Sequence, residues 1–240
     1  MNIALIFAGG TGKRMNSKAV PKQFLQLYGK PIIIYTLEKF DNHDDIDAIV
    51  IVCLKAWIPE MKRFAEKFGL KKVKAVVPGG KTGQESIYNG LKAAASLYPS
   101  DSIVLVHDGV RPLVDPLTIT AAVACAKEKG NAVTVTPAIE TIFLDNSTEG
   151  QVGTILDRKT CHMAKAPQCF HLGDLLGCHE KAIAEGKDDF IDSASMVKYY
   201  GHELYTVEGK NENIKITTPI DYYMFRAIID ARENSQIFGL

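Results

Sequence analysis

The chain has 240 residues, 28 of them Lys or Arg and 28 Asp or Glu, so its formal net charge is zero. Apolar residues make up 46% and charged residues 23%, ordinary values for a globular chain that exclude disorder. Neutrality also excludes a broad electrostatic grip on nucleic acid, while leaving room for a local cationic pocket.

Strand-like and helix-like segments alternate along the chain. Residues 2–8 are a short β-rich run that ends at Gly9-Gly10. Residues 31–40 read as a helix with Pro31 in its first turn. The run AIVIVCL at 48–54 is continuously apolar, as a strand buried on both faces must be. A helix is expected over 58–68, a strand over 73–77, an amphipathic helix over 84–97 and a buried strand over 102–107. A helix over 116–129 and a strand over 131–136 follow.

Between 138 and 170 the rhythm breaks. Two β-prone pieces, 141–144 and 154–156, flank the polar turn 145–150 and read as a hairpin-like arm leaving the sheet. Helices near 172–185 and 191–199, strands near 203–207 and 213–216, and a helix from 219 to about 233 complete the chain. Strand–helix repetition at this spacing predicts an α/β fold, a mainly parallel doubly wound sheet covered on both faces. The whole length reads as one domain, residues 1–240, with an inserted arm at 138–170.

The five cysteines, at 53, 125, 161, 169 and 178, are odd in number and lack CxxC spacing, so neither a disulfide framework nor a zinc site is expected. The first apolar run is too short for a signal peptide, and no run nears the roughly 18 residues of a membrane span. A soluble cytoplasmic protein is the expectation.

Ligands of such sheets bind beyond the carboxyl ends of the strands, which directs attention to residues 9–14, 79–86 and 108–112, and a fourth segment, 213–219, stands out for its lysine. The first, AGGTGKRMNSKAVPKQF at 8–24, combines Gly9, Gly10 and Gly12 with Lys13, Arg14, Lys18 and Lys22. Glycines let backbone amides approach an anion, and the cations supply countercharge. A Walker A loop needs Ser or Thr where Arg14 stands, and a dinucleotide fingerprint needs Gly where Met15 stands. What remains suits a nucleoside triphosphate. The second segment is His107-Asp108-Gly109-Val110-Arg111-Pro112, where Asp108 is positioned to hold a hydroxyl or a metal-bound phosphate. Arg111 either steadies that acid through a two-pronged contact or binds ligand, and His107 reads as a packed histidine. The third, 79–86, places Gly80 and Ser86 where they hydrogen-bond a nucleobase or ribose, or merely cap a helix. The fourth sets Lys215 in the β-prone run 213–219, as a ligand cation or an edge-strand guard against aggregation.

Taken together, these segments resemble the cytidylyltransferases that make CDP-linked polyols, a family that includes the enzymes acting on 2-C-methyl-D-erythritol 4-phosphate and on ribitol 5-phosphate. The matching stretches are 8–15, Pro21-Lys22-Gln23, Gly79-Gly80 with Ser86, His107-Asp108 with Arg111-Pro112, Glu140-Thr141, Asp157-Arg158, Pro167-Gln168, Asp192 with Ser195, and Asn213-Ile214-Lys215. They run in family order over nearly the whole chain.

The resemblance implies a Rossmann-like sheet, transfer of CMP from CTP to a polyol phosphate, Mg2+ carried by the CTP phosphates, and a homodimer clasped by the arm. It assigns Ala8, Gly9, Gly10, Thr11, Gly12, Gly80 and Ser86 to the nucleotide, and Arg14, Lys22 and Lys215 to the reacting phosphates. It assigns Asp108, Arg111, Glu140, Arg158 and Asp192 to the acceptor, with Arg158 reaching across the dimer and Asp108 a candidate metal ligand. The chain departs from the family pattern at Gly83, where Arg is frequent, and at Ala166 and Ile191, where Thr is usual. The stretches AGGTGKR, KPIIIYTLEKF and NIKITTP lean toward ribitol 5-phosphate as acceptor, with 2-C-methyl-D-erythritol 4-phosphate the alternative. An NAD-dependent oxidoreductase on a similar sheet, and a nucleotide sensor without catalysis, are the readings from other classes. The failed dinucleotide spacing counts against the first, and the three cations count against the second.

Overall fold

The computed structural model describes residues 1–10, 20–145 and 152–238, with side chains to 235. In chain order its elements are β1 (Asn2–Ala8), β2 (Gln26–Leu27), β3 (Lys30–Pro31), α1 (Ile32–Asp41), β4 (Ala48–Cys53), α2 (Ile58–Lys67), β5 (Val73–Pro78) and α3 (Gly83–Ala95). Then come β6 (Ile103–Asp108), α4 (Pro116–Lys129), β7 (Asn131–Pro137), β8 (Phe143–Asp145), β9 (Val152–Ile155) and β10 (His162–His171). The chain closes with α5 (Leu172–Ala184), α6 (Ser193–Tyr199), β11 (Thr206–Glu208) and α7 (Pro219–Phe238).

Seven strands form the central sheet in the order β11-β7-β10-β6-β1-β4-β5. Pairing is parallel except on the two sides of β10, which runs antiparallel to β6 and β7. The continuous apolar runs read from the sequence are the strands at its centre, and every residue of β4 and β6 is buried. The period-two alternation of strands decides which face each residue serves. Ala4, Ile6, Ile49 and Ile51 pack under α1 and α4 with Ile33, Leu37, Phe40 and Ile119. Ile3, Leu5, Val50 and Val52 face the other way, against Ile87 and Leu91 of α3 and Leu172 and Leu175 of α5. Each Ile, Leu, Val or Phe side chain among these contributes about 1.5–3 kcal/mol by leaving water. Among the described residues no helix is long and apolar enough to cross a membrane.

Two expectations change. The arm is shorter than 138–170, because β10 returns to the middle of the sheet, between β7 and β6. Pro167 and the polar residues of HMAKAPQCFH hide that strand, and it tolerates them through a register shift between Ala164 and Gln168. Outside the main sheet, β8 and β9 pair antiparallel as a two-stranded unit; the turn between them, 146–151, lies outside the described residues. The strand expected at 213–216 does not form. That segment is an anchored loop, with the Ile216 amide donating to the Val110 carbonyl at 2.9 Å.

Candidate active site

The carboxyl end of β1 delivers Ala8, Gly9 and Gly10 to the rim of the sheet. Gln23, which is buried, donates its side-chain amide to the carbonyls of Ala8 at 2.7 Å and Gly10 at 3.3 Å. It thereby fixes the start of the glycine turn, a role that an isolated glutamine does not advertise in sequence. Ser86 accepts from the Gly80 amide at 3.0 Å and donates to the Thr82 carbonyl at 2.8 Å, so its hydroxyl shapes the second glycine loop. A Cβ at Gly9 or at Gly79 would stand 3.0 Å from Ser86 Oγ, closer than side chains normally pack. Glycine at both positions lets the two loops abut across Ser86 without its hydroxyl having to give way. Thr11, Gly12 and Arg14, with Lys13 and Lys18, lie outside the described residues.

Asp108 and Arg111, three apart in sequence, meet the distant Lys215 beside this rim. Asp108 ends β6 and is only 6% exposed. Arg111 Nε donates to its Oδ2 at 2.7 Å, and Lys215 Nζ lies 2.6 Å from its Oδ1. Burial alone would raise the Asp108 carboxyl, but Lys215 and Arg111 outweigh it and hold the group at about 2. Arg111 Nη1 also donates to the Asn213 carbonyl at 2.9 Å, and the buried Asn213 amide donates to the Ala166 carbonyl at 2.7 Å. These bonds tie the loop carrying Lys215 to both β6 and β10. Lys22, on a short 3-10 turn, donates to the Ile216 carbonyl at 3.1 Å. The two lysines expected to face phosphate are thus brought together from opposite ends of the chain.

A cavity of about 420 Å³ opens next to this centre, lined among others by Phe7, Asp108, Arg111, Lys165, Asp192 and Lys215. Its outer wall is held by two glutamines. Gln84 donates to the Lys187 carbonyl at 2.8 Å and accepts from the Phe190 amide at 3.2 Å. Gln168 donates to Asp192 Oδ2 at 2.8 Å and accepts from the Ala194 amide at 3.0 Å. Asp192 also caps α6 through Ser195 in a reciprocal capping box. Glu140 and Arg158 are exposed, do not line this cavity, and sit at the base of the arm, where Arg158 Nη1 donates to the Ile139 carbonyl at 3.0 Å.

His107 is fully buried, with Nε2 3.1 Å from the Arg111 carbonyl and Nδ1 without a partner among the described residues. Burial pushes its pKa down to about 4 against the pull of Asp108, and burial does the same to His179 of α5, also to about 4. An unfolded histidine titrates near 6.5. Between that value and 4 the unfolded chain therefore binds more protons than the folded one, and stability falls as pH falls. Urea titrations should show a loss of about 2 kcal/mol per histidine between pH 7 and pH 5. An unchanged midpoint at pH 5 would mean that neither ring is buried neutral.

Comparison with known proteins gives a consistent result. The chain matches the family described as 2-C-methyl-D-erythritol 4-phosphate cytidylyltransferase over residues 2–231. A ribitol-5-phosphate cytidylyltransferase of Streptococcus agalactiae is 51% identical over 240 residues, covering 100% of both chains. A 2-C-methyl-D-erythritol 4-phosphate cytidylyltransferase of Clostridium botulinum is 39% identical, covering 95% of this chain and 97% of that one. The crystal structure of a 4-diphosphocytidyl-2C-methyl-D-erythritol synthase from Anaerococcus prevotii superposes with a TM-score of 0.83 at 25% identity, over 95% of this chain and 96% of that one.

Proposed function

Because the chain belongs to the 2-C-methyl-D-erythritol 4-phosphate cytidylyltransferase family, whose members are CTP-dependent nucleotidyltransferases, we propose that its acceptor is ribitol 5-phosphate. The observation that supports this acceptor is that the relatives near 50% identity, matched over their whole length, are ribitol-5-phosphate enzymes, while at about 40% both kinds of enzyme occur. 2-C-methyl-D-erythritol 4-phosphate stays as the second acceptor to be tested. The oxidoreductase and sensor readings have no counterpart among these relatives.

The chemistry follows from charge. A phosphate monoester has its second pKa near 6 and is largely dianionic at pH 7, so its oxygen attacks without a general base. His107 is accordingly not needed as one. The acceptor oxygen forms a bond to the α-phosphorus of CTP, the bond from that phosphorus to the β-bridging oxygen breaks, and pyrophosphate leaves with the electron pair. The obstacle is bringing one polyanion onto another, and the remedy is cations where charge grows. In our reading Lys22 and Lys215, with Arg14, take that role. Ala8, Gly9, Gly10, Thr11, Gly12, Gly80 and Ser86 hold the nucleotide, and Asp108, Arg111 and Asp192 face the polyol. Glu140 and Arg158 serve the acceptor from a second copy of the chain.

Mg2+ carried on the CTP phosphates would stand beside Lys22 and Lys215 and would supply charge neutralisation there. Among the described residues no three acidic, histidine or cysteine side chains converge on a metal position. Both oxygens of Asp108 already face cations, which leaves it poorly placed as a metal ligand. All five cysteines are unpaired, which suits a cytoplasmic location.

The reading is tested by pyrophosphate release with CTP, Mg2+ and a panel of polyol phosphates. Ribitol 5-phosphate should give the highest kcat/KM, and UTP should be turned over far less well than CTP. Cytosine offers an amine donor where uracil offers a carbonyl, and a backbone carbonyl of the glycine loops accepts from the one and repels the other. Equal turnover with UTP would overturn the donor assignment, and preference for the branched erythritol phosphate would overturn the acceptor.

A further inference from the structure

Among the described residues three cations line the cavity, and two of them share one carboxylate: Arg111 and Lys215 both pair with Asp108. The third, Lys165, has no such partner. Its Nζ donates to the neutral Asn211 carbonyl at 3.2 Å, and no carboxylate among the described residues lies within ion-pair distance of it. Glu212 acts on it only through space, while burial and the Arg111 charge both press its pKa down. An anion entering the cavity would meet in Lys165 a cation that no carboxylate among the described residues already neutralises.

The backbone sends Lys165 there. Ala164 pairs with Val135 and Gln168 with Val133, so β10 spends extra residues between these two rungs. Such a bulge takes side chains out of the ladder and re-aims them, commonly beside active sites. The neighbouring wall residues Ala166 and Ile191 carry no side-chain donor. Lys22, Gly9 and Gly10 do not line this cavity, whereas Asp108, Arg111 and Asp192 do. Lys165 therefore stands with the groups that face the acceptor, apart from the glycine turn.

We propose that Lys165 is a binding residue for the acceptor phosphate: its ammonium pairs with the phosphate monoester of the polyol phosphate and sets the affinity for that substrate. This rests on the polyol phosphate reading above. No bond is made or broken at Lys165.

Lys165→Met keeps the aliphatic stem and removes the charge. The KM for ribitol 5-phosphate should rise about 10- to 100-fold, with the KM for CTP changing by less than about 2-fold. Lys165→Arg should restore most of the affinity, and calorimetric titration of ribitol 5-phosphate into the two variants should show the same order. Should Lys165→Met fail to fold, Lys165→Gln replaces it in the same measurements. An unchanged acceptor KM, or an equal rise in the KM for CTP, overturns the assignment. So does a lowered melting temperature with both KM values normal, which would make Lys165 a brace for the Asn211 loop. A wild-type enzyme that releases no pyrophosphate with any polyol phosphate would instead remove the substrate reading, a failure visible before any variant is made.

Discussion

Lys215→Ala and Lys22→Ala should each lower kcat about a hundred- to a thousandfold. A preorganised cation aimed at charge that develops in the transition state is worth roughly 3–4 kcal/mol. Lys215 is held for this by Asp108, whose Oδ1 lies 2.6 Å from Nζ. An ammonium has three N–H donors, so this contact orients it and still leaves donors for phosphate oxygens. Lys22 reaches the same place from the other end of the chain, through the Ile216 carbonyl. The loss of either lysine should leave the far-UV CD spectrum unchanged. Stability should fall by no more than about 1–2 kcal/mol, since Arg111 still satisfies Asp108 in Lys215→Ala. A variant that melts early yet keeps normal activity per folded molecule would show that its lysine is structural. With 213–216 a loop and not a strand, the edge-guard role for Lys215 has lost its structural basis.

Sequence alone located most of the sheet and the residues at its rim, because both leave local signals. β4 and β6 are runs buried on both faces, so apolar continuity marks them. Asp108 and Arg111 are three apart just past a strand end, close enough for their pairing to be anticipated. β10 was illegible for a stated reason: its alternation is broken by Pro167 and by the bulge, and its antiparallel entry between β6 and β7 is a tertiary choice. The same bulge carries Lys165, so the strand that sequence reading missed also hid a cation. The convergence of Lys22, Lys215 and Asp108 depends on long loops whose bonds, such as Asn213 to Ala166, join segments with no local relation. Gln23, Gln84 and Gln168 were missed as scaffolding because an amide that holds a loop looks in sequence like any surface glutamine.

Arg158→Ala should raise the KM for ribitol 5-phosphate about 10- to 100-fold, the worth of a charge-assisted contact to phosphate, and leave the KM for CTP nearly unchanged. Arg158 does not line its own chain's cavity, so an effect on the acceptor requires a second copy. The arm suggests how that copy binds. Phe143, Val152 and Ile155 of β8 and β9 are each more than half exposed, and a lone two-stranded unit is marginal in water. Covering those faces with a twofold mate would stabilise the arm and carry Arg158, whose planar fork suits a phosphate, toward the partner's acceptor site. Sedimentation should therefore give a dimer. Complementation gives the sharper result. In a mixed dimer of Arg158→Ala and Lys215→Ala chains, a shared site combines the intact Lys215 of one chain with the intact Arg158 of the other. Random pairing makes half the dimers mixed, each with one intact site of two. Co-expressed chains should thus recover about a quarter of wild-type activity at low acceptor concentration, far above either variant alone. No recovery in dimers shown to be mixed, or an unchanged acceptor KM in Arg158→Ala, would confine each site to a single chain and leave Arg158 as a surface residue of little consequence.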